Sequence, residues 1–218
     1  MRLQKVAVFI LALGAPAALE AQAGLAARAS TLGAGAELSY RPTSLFGFRL
    51  GANYLSFSRD ATIDDIAYRF TPHFESGSAI VDLYPFGGTF HLSGGVLLNR
   101  NEGRMIARLT QNIEIGGQTY TPDQIGSLQG TVGFNRTAPY FGLGFAGRGR
   151  IALLFDLGVG MTGTPRVSLV GTTPLTGQAK AEFDANVEEE LAQVRADIND
   201  KSFLKFHPVI SLGVKFGF

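Results

Sequence analysis

The sequence predicts an all-β fold: an eight-stranded antiparallel transmembrane β-barrel with one amphipathic helix before its last strand. Three observations predict it. Apolar residues alternate with small or polar ones in run after run, the connections between runs alternate between short and long, and glycine, 28 of 218 residues, is concentrated inside the runs. Strict period two marks a strand with one apolar face. Short turns on one side and long loops on the other are the habit of barrels whose strands are apolar outward and polar inward. Glycine weakens ordinary strands, so its enrichment there needs a cause, and crowding inside a narrow barrel supplies one.

The N-terminus predicts export to a Gram-negative outer membrane. Arg2 and Lys5 precede the apolar run Val6 to Leu13, and Ala21-Gln22-Ala23 has the small-x-small form of a cleavage site. The expected signal peptide is therefore 1–23, cleaved after Ala23, and the barrel 24–218. The apolar run is too short for a retained anchor. Elsewhere no apolar run reaches about 18 residues, which argues against a helical membrane protein. Cysteine is absent, which excludes disulfides, a thiolate zinc site and a lipidated cysteine after the cleavage site. Without Arg2, Lys5 and Glu20 the chain holds as many acids as bases, and no basic excess points to nucleic acid.

The strands follow from the alternation. At the C-terminus Ile210, Leu212, Val214, Phe216 and Phe218 share one face, with Val209, Ser211, Gly213, Lys215 and Gly217 opposite. Leu32, Ala34, Ala36, Leu38 and Tyr40 alternate with Gly33, Gly35, Glu37 and Ser39, and Phe48, Leu50, Ala52 and Tyr54 with Arg49, Gly51 and Asn53. Further runs place Asp82, His91 and Asp156 on polar faces, around Ala79–Leu83, Phe90–Leu98, Phe141–Phe145 and Ile151–Met161. Each is near the roughly 9–11 residues of a transmembrane strand. The short connections are Arg41–Ser44, Pro85–Gly88 and Gly147–Gly149, with Tyr40, Phe46, Tyr84 and Phe86 expected in an aromatic girdle. A descending last strand then requires a first strand within Gly24–Ser30, which is short and poorly patterned. The alternative counts Arg166–Gly171 as a barrel strand and puts all the short turns outside.

The end of the chain, Ser211-x-Gly213-x-x-Phe216-x-Phe218, resembles the C-terminal signal read by the outer-membrane assembly machinery. Leu32–Phe57 resembles the second and third strands of the OmpA transmembrane domain, in its Gly-x-Gly opening and its aromatic-flanked turn. More broadly the chain is similar to an uncharacterised family of small proteobacterial outer-membrane proteins, through Thr31-Leu32-Gly33-x-Gly35, Tyr84-Pro85-Phe86-Gly87-Gly88, Thr119-Tyr120-Thr121-Pro122, Ala138-Pro139-Tyr140 and Asp156-Leu157-Gly158-Val159. That resemblance implies a barrel and assigns no activity.

The polar faces predict a lumen charge network of Glu37, Arg49, Asp82, His91, Asp156 and Lys215, with Arg150 a further candidate. Eight strands leave an interior that side chains can fill, so the lumen is expected to be closed by ion pairs. Gly142-x-Gly144-x-x-Gly147 has the letters of a dinucleotide fingerprint, but strand–turn–strand replaces the required strand–turn–helix. His73 with Glu75 and Ser76 could imitate the His, Ser and carboxylate of lipid-A-modifying barrel enzymes, yet spacing alone builds no activated nucleophile, and no enzyme is predicted. Asp60, Asp64 and Asp65 lack the spacing of a calcium loop. No metal or cofactor site is expected.

Two segments depart from the strand pattern. Over 179–199, Phe183, Val187, Leu191, Val194 and Ile198 form a stripe at helical spacing, with acids loading the first half. The stretch of about 100–136 is the longest expected loop. Within it Ile113–Tyr120 reads as a hairpin turning at Gly116-Gly117, and Thr121 caps a helical turn opened by Pro122. Expected partners are outer-membrane lipids and lipopolysaccharide around the barrel, the assembly machinery at the last strand, and a surface ligand left unidentified. A structural or surface-interaction role ranks ahead of a narrow channel for small solutes, and both rank ahead of a lipid-modifying enzyme.

Overall fold

Period-two faces can be buried in lipid only if no strand edge is left open, because unpaired backbone groups have no water to turn to in a bilayer. The computed structural model describes residues 23–63 and 66–218. All but the last residue of the expected signal peptide lies outside this range. The elements are β1 (Ala23–Ser30), β2 (Gly33–Tyr40), β3 (Phe46–Ser56), β4 (Arg59–Ile63), β5 (Ile66–Leu83), β6 (Phe90–Asn99), β7 (Glu102–Arg108), β8 (Ile113–Ile115), β9 (Gln118–Tyr120), β10 (Ser127–Gly133), β11 (Thr137–Ala146), β12 (Ile151–Met161), β13 (Arg166–Thr172), α1 (Gly177–Asp200) and β14 (Phe206–Gly217). Eight of the strands, β1, β2, β3, β5, β6, β11, β12 and β14, close an antiparallel barrel in which β14 returns to β1.

The first strand is not frayed. β1 pairs with β2 from Ala23↔Tyr40 to Ser30↔Gly33, and with β14 from Gly24↔Gly217 to Ser30↔Ser211. Arg166–Thr172 is a strand, but it lies outside the barrel and pairs with β10. The outward residues form an apolar belt in which Leu50, Leu153 and Leu212 are 59%, 74% and 60% exposed. In water such a continuous surface would be a large unburied patch, whereas lipid covers it. Leu32 is a correction. It sits in the tight turn before β2 and is buried in the barrel with Ile80, Leu97, Ala138, Tyr140 and Val209. Tyr40, Phe46 and Phe86 lie exposed at the short-turn end, but Tyr84 turns inward and is 5% exposed. Its ring takes the Arg41 guanidinium at 3.6 Å from its centroid, a cation–π contact that a lipid-facing tyrosine would lose.

The two ends of the barrel differ. One carries the short connections 41–45, 84–89 and 147–150. At the other, the Thr31-Leu32 turn is short and the remaining connections are long. The segment 100–136 is largely built structure. β5 runs for 18 residues, and its far half leaves β6 to pair with β7, while β4 pairs on its other side. β7 pairs with β10 and β10 with β13, so a sheet of order β4-β5-β7-β10-β13 stands beyond the barrel. The β8–β9 hairpin turns where Gly116 and Gly117 have φ of +57° and +78°, the positive pair that a two-residue hairpin turn demands. After it the Gln124 side chain accepts from the Thr121 N–H at 2.9 Å, closing the turn that Pro122 opens.

This outgrowth has a core of its own. Phe183 and Val187 of α1 pack with Ile113, Ile115, Tyr120 and Ile125. Phe183 meets Tyr120 edge-on at 5.2 Å, and the Asn186 side chain donates to the Tyr120 hydroxyl at 2.7 Å. A Cβ on Gly171 would stand 2.8 Å from the Phe183 ring, so β13 admits the helix at that point only as glycine. Leu191 is buried as well, while Val194 and Ile198 are half-buried, so the helical stripe meets the sheet most fully in its first half. No helix among the described residues is long and apolar enough to cross a membrane, and the crossing is made by strands.

Candidate functional site in the barrel lumen

Each barrel strand turns every second side chain inward, and six strands send a charged or ionisable group to one level of the lumen. β1 supplies Arg28, β2 Glu37, β3 Arg49, β5 Asp82, β6 His91 and β12 Asp156. Arg49 clasps Asp82 through both ends of its guanidinium, Nε to Oδ2 at 2.6 Å and Nη2 to Oδ1 at 2.8 Å, the two-pronged geometry that suits a carboxylate. Its Nη1 lies 3.4 Å from Glu37 Oε2 and its Nη2 3.1 Å from Asp156 Oδ1. Arg28 donates to Glu37 Oε2 at 2.6 Å, to Asp156, and to Ser211 Oγ at 2.9 Å. Ser93 bridges Arg49 and Asp82. His91 Nε2 meets Asp156 Oδ1 at 2.9 Å, and since a carboxylate only accepts, that nitrogen carries the proton.

The layer holds three carboxylates against two guanidiniums, all at most 7% exposed on their side chains. Two polar atoms in it, Glu37 Oε1 and His91 Nδ1, have no partner among the described residues. Glycines make the room: a Cβ on Gly144 would stand 2.7 Å from Asp156 Oδ1 and 2.8 Å from His91 Nε2. On the extended side, next to a cavity of only about 40 Å³, lies the apolar cluster of Leu32, Ile80, Leu97, Tyr140 and Val209. The Tyr140 hydroxyl lies where a Cβ on Gly142 or Gly158 would come within 2.5 Å. On the short-turn side the lumen opens into a vestibule of about 1160 Å³.

Of the residues singled out from sequence, Glu37, Arg49, Asp82, His91 and Asp156 come together. Lys215 and Arg150 do not join them. The Lys215 stem crosses Gly24, where an added Cβ would meet it at 2.9 Å, two residues nearer the short-turn end than its strand partner Ala26, and it forms no ion pair with the carboxylates among the described residues. Arg150 sits exposed at the vestibule rim. Arg28 is the residue sequence reasoning missed, although Leu25, Ala27 and Ala29 alternate with Ala26, Arg28 and Ser30 and carry the same signal on smaller side chains. At the last strand Ser211 faces the lumen, while Phe216 and Phe218 are 52% and 72% exposed on the outside.

The other motifs separate. His73 Nε2 lies 3.7 Å from Glu75 Oε2, on the outer face. Ser76 is buried on the inner face, where it accepts from Asn53, so histidine and serine stand on opposite sides of one strand. Gly142, Gly144 and Gly147 lie in and just after β11, followed by another strand. Asp60 receives a hydrogen bond from Arg69, and Asp64 and Asp65 lie outside the described residues.

A closed antiparallel barrel with an apolar belt, a polar interior and short turns at one end is an outer-membrane β-barrel fold, and it fits the Gram-negative outer membrane. Among solved structures it is similar to CarO and CarO2 of Acinetobacter baumannii, 21% and 22% identical, each at a TM-score of 0.59. Each alignment covers 92% of this chain, with 98% of CarO and 100% of CarO2. No protein-family model and no curated protein matches the chain.

Proposed function

We propose that this chain is an outer-membrane barrel with a closed lumen, serving a structural or surface-interaction role and not conducting as an open pore. The observation that carries the reading is the stack of two layers across the lumen, one of ion pairs and one apolar. An ion crossing the apolar layer would shed much of its hydration against Leu32, Ile80, Leu97 and Val209. In the proposed orientation the short turns face the periplasm, and the sheet bearing α1 projects from the cell as the surface available to a partner. The leader is removed after Ala23, and the last strand, with Phe216 and Phe218, is read by the assembly machinery, in keeping with its resemblance to that signal. Lipids and lipopolysaccharide surround the belt.

A narrow channel is the second reading. The wide vestibule reaches the ion-pair layer, and Glu37 Oε1 and His91 Nδ1 offer unused polar atoms there. Planar-bilayer recording of the wild type separates the two. Low or absent conductance is expected, with small flickering currents after Arg49→Ala or Glu37→Ala. Large, steady currents from the unmodified protein would put the channel first.

A further inference from the structure

The vestibule below the ion-pair layer carries a charge that its surroundings do not balance. Three carboxylates line it, Glu37, Asp82 and Asp156, and all three are engaged by Arg28, Arg49 and His91 at its floor. Nearer the mouth the lining side-chain charges are the cations Arg41, Arg148, Arg150 and Lys215, with Phe218, whose backbone carboxylate is the one negative group there, beside them. Among the described residues none of these four forms an ion pair with a side-chain carboxylate. Arg41 is spent on the fold. It stacks on Tyr84 and donates to the carbonyls of Thr43, Ser44, Gly87 and Gly88, which ties two short turns together. Arg148 gives one donor to the Gly87 carbonyl. Lys215 has no such duty, and its stem is laid across Gly24, two residues nearer the mouth than its strand partner Ala26.

Like charges lining one cleft repel, and their field acts on whatever enters. A bound anion relieves the repulsion and takes up the unused donors. The geometry points to an anion-binding site at the mouth of this vestibule, held by Lys215 with Arg150 and Arg148, for a compact multivalent oxyanion of the phosphate class. The carboxylate-rich floor repels such a ligand, which places it at the mouth. The volume of about 1160 Å³ admits more than a single phosphate. Two sources share this chemistry, a soluble phosphate compound and the headgroup of an anionic phospholipid at the rim. The inward course of Lys215 favours the soluble one, because a headgroup anchored in the bilayer reaches the rim arginines first.

The test is binding of pyrophosphate to the folded barrel in lipid-free non-ionic detergent, by titration calorimetry at fixed ionic strength. A parallel arm adds phosphatidylglycerol to the micelles. Pyrophosphate is expected to bind better than chloride, and Lys215→Met and Arg150→Gln are each expected to weaken it on the order of tenfold, the effect of removing one charged hydrogen-bonding partner. Arg104→Gln, on the projecting sheet, serves as the control and leaves affinity unchanged. Heat-modifiable migration in gels verifies that each variant is folded, and Arg150→Gln, at the exposed rim, carries the test if Lys215→Met does not fold. Affinity indifferent to these substitutions overturns the site. So does binding seen only for phosphatidylglycerol and unaffected by the lumenal lysine.

Discussion

At the residue scale, the cost of an unpaired charge governs the lumen. Arg49 holds Asp82 in a two-pronged clasp and reaches Glu37 and Asp156, all buried. Removing one partner of a buried pair leaves the other without compensation, a loss of about 3–5 kcal/mol. Arg49→Ala and Arg28→Ala are therefore expected to lower the temperature at which the barrel loses its heat-modifiable form. Lys215→Ala, outside the layer, is expected to cost about 1 kcal/mol or less. Equal effects of all three would mean that the charges act as a hydrated set and not as pairs. Gly158 makes the same point through space. A methyl there would come within 2.5 Å of the Tyr140 hydroxyl, and overpacking of that kind costs about 1–3 kcal/mol, so Gly158→Ala is expected to lower the same transition.

At the scale of elements, the barrel and the projecting sheet have separate cores. One is the lumenal cluster around Tyr140 and Leu97, and the other is built on Phe183. Phe183→Ala removes the most deeply buried side chain of the second core, a loss of about 3–5 kcal/mol. The expected outcome is selective: trypsin cuts α1 and the 100–136 segment faster, while the barrel keeps its heat-modifiable shift. Loss of both together would show that the sheet and the barrel fold as one unit. The last strand behaves in the opposite way, because Leu212 lies on the lipid face of a barrel strand and is 60% exposed. Leu212→Arg is expected to reduce the folded form in outer membranes, since arginine near the bilayer midplane costs about 2–4 kcal/mol. Deleting Phe218 is expected to reduce it as well.

At the scale of the whole molecule, orientation decides what the projecting sheet can meet. Protease added to intact cells is expected to cut within 105–121 or 179–199 and to spare the turn at Pro85. Cleavage confined to spheroplasts opened to the periplasmic side would invert the orientation, and would put the vestibule on the outside. β14 meets β1 over seven residue pairs, so the barrel is sealed only when the last strand is in place.

The sequence by itself determined the barrel, the faces of its clearly patterned strands, the Gly116-Gly117 hairpin and the stripe of α1, though not the inward side of β1 or the places of Leu32 and Tyr84. Each is written within a few consecutive residues, because a strand sorts its side chains by parity and a helix by its turn. Glu37, Arg49, Asp82, His91 and Asp156 could be assigned to the interior one strand at a time for the same reason. Only the tertiary structure decided which of them meet. Their levels depend on the stagger of six strands around the barrel, a property of closure that no single strand encodes. That stagger brings in Arg28 from a strand whose small side chains hid its pattern, and it leaves Lys215 out of the ion-pair layer with its stem against Gly24. Tyr84 follows the inward parity of Ile80 and Asp82, and the fold adds its partner, Arg41. The projecting sheet was hidden for a related reason: β5 continues past the barrel and pairs with β7, whose paired residues lie 29 to 41 positions further along the chain, from His73↔Glu102 to Ala67↔Arg108, so only the fold could show that the long loop is largely sheet.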